Sequence, residues 1–181
     1  MPQLPPVPAW DGMHPLIIHF PIGLLLIAPL FILIGALLGS AKGRSYLVTA
    51  LLLMVLGTAS VFIAVSTGKA AGKLADRSPE INAVLEHHEG LAERTRLTFS
   101  LLTVIFALLV GALLRVQRLQ TRRFATLAPL LFLLLYGYGA LVLSDTAHNG
   151  GRLVHEFGVH ALVEPTPGQP PATPPPAPEG E

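Results

Sequence analysis

Four long stretches of the chain are predominantly apolar: Leu16–Gly39, Tyr46–Thr67, Leu97–Leu114 and Phe124–Leu143. None contains Asp, Glu, Lys or Arg. A helix that crosses a bilayer needs about 20 mostly apolar residues at 1.5 Å each, and all four runs meet that length. They are apolar on every face, so lipid rather than water must surround them. The pattern predicts an all-α integral membrane protein, a four-helix bundle over residues 14–163. Proline-rich tails flank it at 1–13 and 164–181. The second tail is mostly Pro, Gly, Ala, Thr and Glu, a composition that cannot bury enough apolar surface to fold and reads as a disordered, extended segment.

The long connection between the second and third runs has a pattern of its own. Ser78-Pro79-Glu80 reads as a helix start, with Ser as N-cap, Pro at the first helical position and an acid in the first turn. Ile81, Val84, Leu85, Leu91 and Ala92 then recur on one face at helical spacing. At 100° per residue, His88 lies within about 20° of Ile81, while His87 points about 100° further round, toward water. The expectation is a short amphipathic helix lying on the outer membrane surface. Its apolar face presents His88 to the mouth of the bundle.

Composition agrees with the pattern. Charged residues make up 13% of the 181 residues, against about 25% in an ordinary soluble domain. The net charge of +1 gives no reason to expect a nucleic-acid partner. The placement of the charges says more. Six of the twelve Lys and Arg residues (Lys42, Arg44, Arg115, Arg118, Arg122 and Arg123) sit in the two short loops. Positive residues close to span ends stay cytoplasmic. Both termini and the long second loop are therefore expected on the other side of the membrane. The first run is too long for a cleavable signal and lacks a basic segment before it, so it reads as an anchor.

The chain has no cysteine. That removes disulfides, thiolate metal sites and covalent haem attachment. Seven histidines remain. His19 lies inside the first run, where an imidazole needs a partner and is a functional candidate by default. His14 precedes it and can cap the helix. His148 follows the fourth run in Asp145-Thr146-Ala147-His148-Asn149-Gly150-Gly151, where the glycine pair permits a sharp turn and close approach to a backbone or ligand. His19, His88 and His148 are thus expected at one interfacial level, with His14 and His155 near them. Tyr136 and Tyr138 read as aromatic-belt residues. Gly35, Gly39 and Gly57 read as close-packing positions between helices.

The segment His14-Pro15-Leu16-Ile17-Ile18-His19-Phe20-Pro21-Ile22 resembles the opening HPxxxHFPI signature of the DUF2231 family of uncharacterised bacterial membrane proteins. Thr67-Gly68 with His88-Glu89, and His148-Asn149-Gly150-Gly151-Arg152-Leu153-Val154, resemble its middle and terminal elements. The resemblance implies a membrane fold and little established activity. Relatives joined to Rieske or cytochrome c modules point toward electron transfer. The chain departs from the family where a histidine is usual, since that position is Phe157, flanked by His155 and His160.

Three functional readings follow. One is a haem b module for electron transfer, with His19 and either His88 or His148 as axial ligands in an apolar slot between helices; Lys69, Lys73, Arg94 or Arg152 would pair the propionates. A second is a copper, zinc or iron site drawn from His14, His19, His88, His148 and His155, with Glu89 or Asp145 as ligand or orienting group. The third has no cofactor: the outer surface docks a periplasmic redox or assembly partner, with the proline tail as tether. No GxSxG or HExxH motif is present, so a hydrolase or other stand-alone enzyme is not expected.

Overall fold

Prolines decide how the first helix begins. In the computed structural model, which describes residues 7–39, 41–75 and 78–159, α1 is a single turn, His14–Ile17, with Pro15 in its first turn. Pro21 has no amide to offer the Ile17 carbonyl, and the helix breaks at Ile18 before resuming as α2, His19–Leu38. Gly39 ends α2 in the left-handed region (φ 52°), a conformation that glycine adopts without steric penalty. α3 then runs Ala41–Gly72, α4 Pro79–Arg115 and α5 Arg122–His155, with one 3-10 turn at Gln117–Leu119.

The chain goes up and down. α2 packs on α3, α3 on α4, α4 on α5, and α5 closes back on α2, while α1 lies against α3. Within its apolar span the buried positions of α4 are Phe99, Leu102, Phe106, Val110 and Leu113, which is helical spacing along one stripe. They meet Leu25, Ile32, Met54, Phe132 and Tyr136 in a single core. Phe106 stacks on Phe132 at 4.7 Å, and Phe99 and Phe132 both meet Tyr136 edge-on. Gly35 and Gly57 let Leu47 and Leu25 approach closely. The outer faces are apolar as well: Leu108, Leu134 and Leu141 are about 70% exposed. Four helices are long and apolar enough to cross a membrane, and this greasy outer surface is what a bilayer covers. The protein is an all-helical, four-span bundle, as the pattern predicted.

Two expectations are corrected. The helix that starts at Ser78 is not a separate surface helix. Ser78 caps it, accepting from the Ile81 amide, but it continues without a break for 37 residues. Nothing between Ile81 and Leu97 ends a helix: Gly90 is the only weak former and there is no proline. At 1.5 Å per residue α4 is about 55 Å long, against a hydrocarbon core of about 30 Å. Its charged part, Pro79–Arg96, therefore projects beyond the charge-free span. Likewise Gly150 and Gly151 do not turn the chain; α5 passes through both to His155. The 164–181 tail and His160 lie outside the described residues.

Candidate functional site

The beginning of α1, the end of α3, the projecting part of α4 and the end of α5 meet at one end of the bundle. They enclose a cavity of about 370 Å³, within the range of about 300–1,000 Å³ typical of small-molecule sites. Its wall is mostly apolar, with Ile22, Val61, Val65, Leu85 and Leu143 among the lining residues. Beyond the charge-free spans, three histidines among the described residues reach it: His14, His88 and His155.

His14 and His88 are seated in the same way on opposite pairs of helices. The His14 ring lies against Gly68 of α3, where a Cβ would come within 2.8 Å of its Cε1 atom. The His88 ring lies against Gly150 of α5, where a Cβ would come within 3.0 Å of Cε1. Any larger residue at either glycine would occupy the imidazole's place.

Each ring is also held by one nitrogen. His88 Nδ1 is 3.0 Å from the Thr146 carbonyl oxygen. A carbonyl only accepts, so Nδ1 carries the proton and donates. His14 Nδ1 is 3.2 Å from Thr67 Oγ1. The Thr67 hydroxyl also lies within reach of the Ile63 and Ala64 carbonyls; with its one hydrogen on either carbonyl, its oxygen accepts from His14 Nδ1. The His88 ring is thereby assigned the Nδ1–H tautomer and keeps an Nε2 lone pair, and the His14 ring has the same tautomer when the Thr67 hydrogen lies on a carbonyl.

Burial keeps both rings neutral. Desolvation lowers the His88 pKa from 6.5, outweighing the opposite effects of the Thr146 carbonyl and Glu89. Desolvation also lowers that of His14, and the neighbouring His88 adds to it, against the opposite effect of a hydrogen bond to the Ala64 carbonyl. An uncharged imidazole with a free Nε2 is a metal ligand or a hydrogen-bond acceptor.

Threonines brace the seats. Thr146 Oγ1 donates to the Val142 carbonyl and accepts from Thr95 Oγ1 at 2.8 Å, tying α5 to α4 just below His88. Lys69 and Arg96 both pair with Glu93, joining α3 to α4 at the rim, and Arg96 lies over the Phe62 ring at 5.5 Å. Past α5 the chain folds back, with Gly158 at φ 64° and the Val159 amide donating to the Leu153 carbonyl. This brings Val159 against the cavity beside His155.

The other histidines singled out from the sequence lie elsewhere. His19 is exposed on the outer surface of α2, His148 is exposed on α5, and neither lines the cavity. Glu89 does line it, and its Oε1 reaches Gly72 of α3. Lys69 is engaged by Glu93 and Arg152 by Glu156. Among the described residues no group of three His, Cys, Asp or Glu side chains is arranged to hold a metal ion. Sequence reasoning missed the bracing threonines, Thr95 and Thr146. Their one signal was their position a turn or two from a histidine or glycine of the site.

Comparison with known proteins gives one match. The model of a family described as predicted membrane protein (DUF2231) matches residues 11–162. No curated protein and no solved structure matches the chain.

Proposed function

Because the chain belongs to the DUF2231 family of predicted membrane proteins, we propose that it is a membrane cofactor module in which His14 and His88 hold a haem b. One observation carries this reading: two half-buried imidazoles from different helices, each with a hydrogen-bond partner at Nδ1, line one apolar cavity. The donor set fits. Axial ligation of haem takes two imidazoles and an apolar slot, whereas a structural zinc or copper site takes three or four ligands. Main-chain and hydroxyl partners at Nδ1 orient both rings and raise their basicity, as outer partners of metal-binding histidines do. The cavity is open on one side, so a group larger than its enclosed volume can extend from it. When bound, haem supplies one-electron transfer. The residues of the chain hold, orient and dehydrate it.

In the same reading the histidine-bearing end and both termini face away from the cytoplasm, where a redox partner would dock. The six cations of the opposite loops support this orientation.

The test is an oxidised-minus-reduced absorption spectrum of detergent-purified protein produced with haem supply. A b-type α-band that is lost in His14→Gln and His88→Gln, and kept in His19→Gln and His148→Gln, is the expected result. A flat spectrum from folded protein, or a band indifferent to His14 and His88, would sink the proposal.

A further inference from the structure

The opposite end of the bundle is cationic without compensation. Lys42 and Arg44 lie in the first turn of α3, and Arg122 and Arg123 open α5. Arg115 ends α4 and Arg118 lies in the 3-10 turn. Among the described residues none of the six has a carboxylate partner: the ion pairs all involve Glu93 or Glu156, at the histidine-bearing end. No acid lies in the first turn of α3 or α5.

The fold gathers these charges from separate loops. The Arg122 side chain lies over the turn between α2 and α3: a Cβ on Gly39 would be 3.5 Å from its Cγ and 3.0 Å from Thr126 Oγ1. The turn that leads into Lys42 and Arg44 therefore meets the start of α5, where Arg122 and Arg123 lie. Cations in a helix's first turn also oppose its macrodipole, so four of the six sit where a bound anion is favoured. Exposed apolar side chains border the patch, with Leu37 and Leu38 on one side and Val116, Phe124 and Leu127 on the other.

We propose that this end of the bundle is a binding site for an anionic phospholipid, whose phosphate is held between the α2–α3 turn and the start of α5 and whose acyl chains lie along the bordering leucines. Charge complementarity names the headgroup. The apolar border distinguishes a lipid from a soluble phosphate, because only a lipid uses both surfaces at once. The proposal is independent of the haem reading and concerns the other face of the membrane.

The experiment uses the full chain in a zwitterionic detergent. Phosphatidylcholine, phosphatidylglycerol or cardiolipin is added, and thermal unfolding and phospholipid retained after gel filtration are measured. The expected result is stabilisation and retention by the anionic lipids only. Arg122→Gln/Arg123→Gln should weaken binding roughly 25-fold, from about fivefold per cation near a membrane surface. Arg122→Lys/Arg123→Lys, which keeps the charge, should bind as the parent does. Lys73→Gln/Arg94→Gln, at the histidine-bearing end, should also leave binding unchanged. Equal effects of phosphatidylcholine and anionic lipid would overturn the proposal. So would equal loss in the two Gln pairs, and so would glycerol phosphate at the same concentration matching the lipid, which would make this a simple anion site. A Gln pair that fails to fold is replaced by Lys42→Gln/Arg44→Gln, for which the same loss is expected.

Discussion

Tyr136 donates its hydroxyl to the main-chain carbonyl of Leu25 at 2.6 Å, 111 positions away in the chain, and Leu25 is the acceptor that Pro29 leaves without a helical amide. A proline inside a helix removes the bond to the residue four before it. In lipid no water can replace that bond, so the orphaned carbonyl must find a donor within the protein. Tyr136 is 1% exposed, and it supplies that donor from α5. The residue that reads from sequence as an aromatic-belt anchor is a core clamp between two spans.

Tyr136→Phe should therefore destabilise the bundle by about 1–3 kcal/mol, the usual cost of a buried polar group left unsatisfied. Its contacts with Phe99 and Phe132 should survive. Pro29→Ala restores the amide, so the double variant should recover much of the loss. Reversible unfolding in mixed micelles measures the cycle. If Tyr136→Phe costs the same with and without Pro29, the pairing is wrong.

Gly68→Ala and Gly150→Ala should each displace an imidazole, since their new Cβ atoms fall 2.8 and 3.0 Å from His14 and His88 Cε1. Overpacking of this kind costs about 1–3 kcal/mol. Haem content should fall in both variants. Gly137→Ala, with nothing within 4 Å of the added methyl, is the control and should behave as the parent does.

The two site histidines make stability depend on pH in one direction. Both have folded-state values below 6.5 because burial disfavours the charged ring. Between the folded value and 6.5 the unfolded chain binds more protons, so stability rises with pH through that window. It is fully present above 6.5 and falls as the pH drops below it. Unfolding of the haem-free protein at pH 5 and pH 7.5 should show this slope, and His14→Gln with His88→Gln should flatten it. A slope unchanged in the double variant would assign the dependence to other groups.

Orientation is testable because the chain has no native cysteine. Gln120→Cys, exposed beside the 3-10 turn, should resist a membrane-impermeant thiol reagent in intact cells and react after lysis. Ala83→Cys, exposed near the start of α4, should react from outside. The reverse pattern would invert the proposed topology.

Thr58 Oγ1 and Thr103 Oγ1 meet at 2.8 Å between α3 and α4. Thr103→Val should cost about 0.6 kcal/mol, the usual worth of a hydrogen bond between helices in a membrane. Removing both hydroxyls should cost little more than removing one, as a double-mutant cycle will read.

What the sequence determined by itself is whatever depends on local composition and on a known period. Four charge-free runs of span length require lipid. Ser78-Pro79-Glu80 starts a helix. The two short loops carry six cations and no acid. Gly35 and Gly57 mark close packing. Each of these holds because a short window of chain already contains its cause. The histidine site is different, since it depends on azimuth and on partners remote in the chain. His14 and His19 are only five residues apart, yet the turn of the helix, about 100° per residue, sends one into the cavity and the other onto the exposed outer face. Depth in the membrane favoured His19; direction selected His14. His88 took its place only because α4 continues unbroken into the third span, which carries His88 over Gly150. Only packing places Thr67 and Thr146 at the two Nδ1 atoms, 53 and 58 positions from the rings they hold. It likewise sets Tyr136 against the carbonyl that Pro29 orphaned. Such pairings are decided by how four helices pack, because no local window contains both partners.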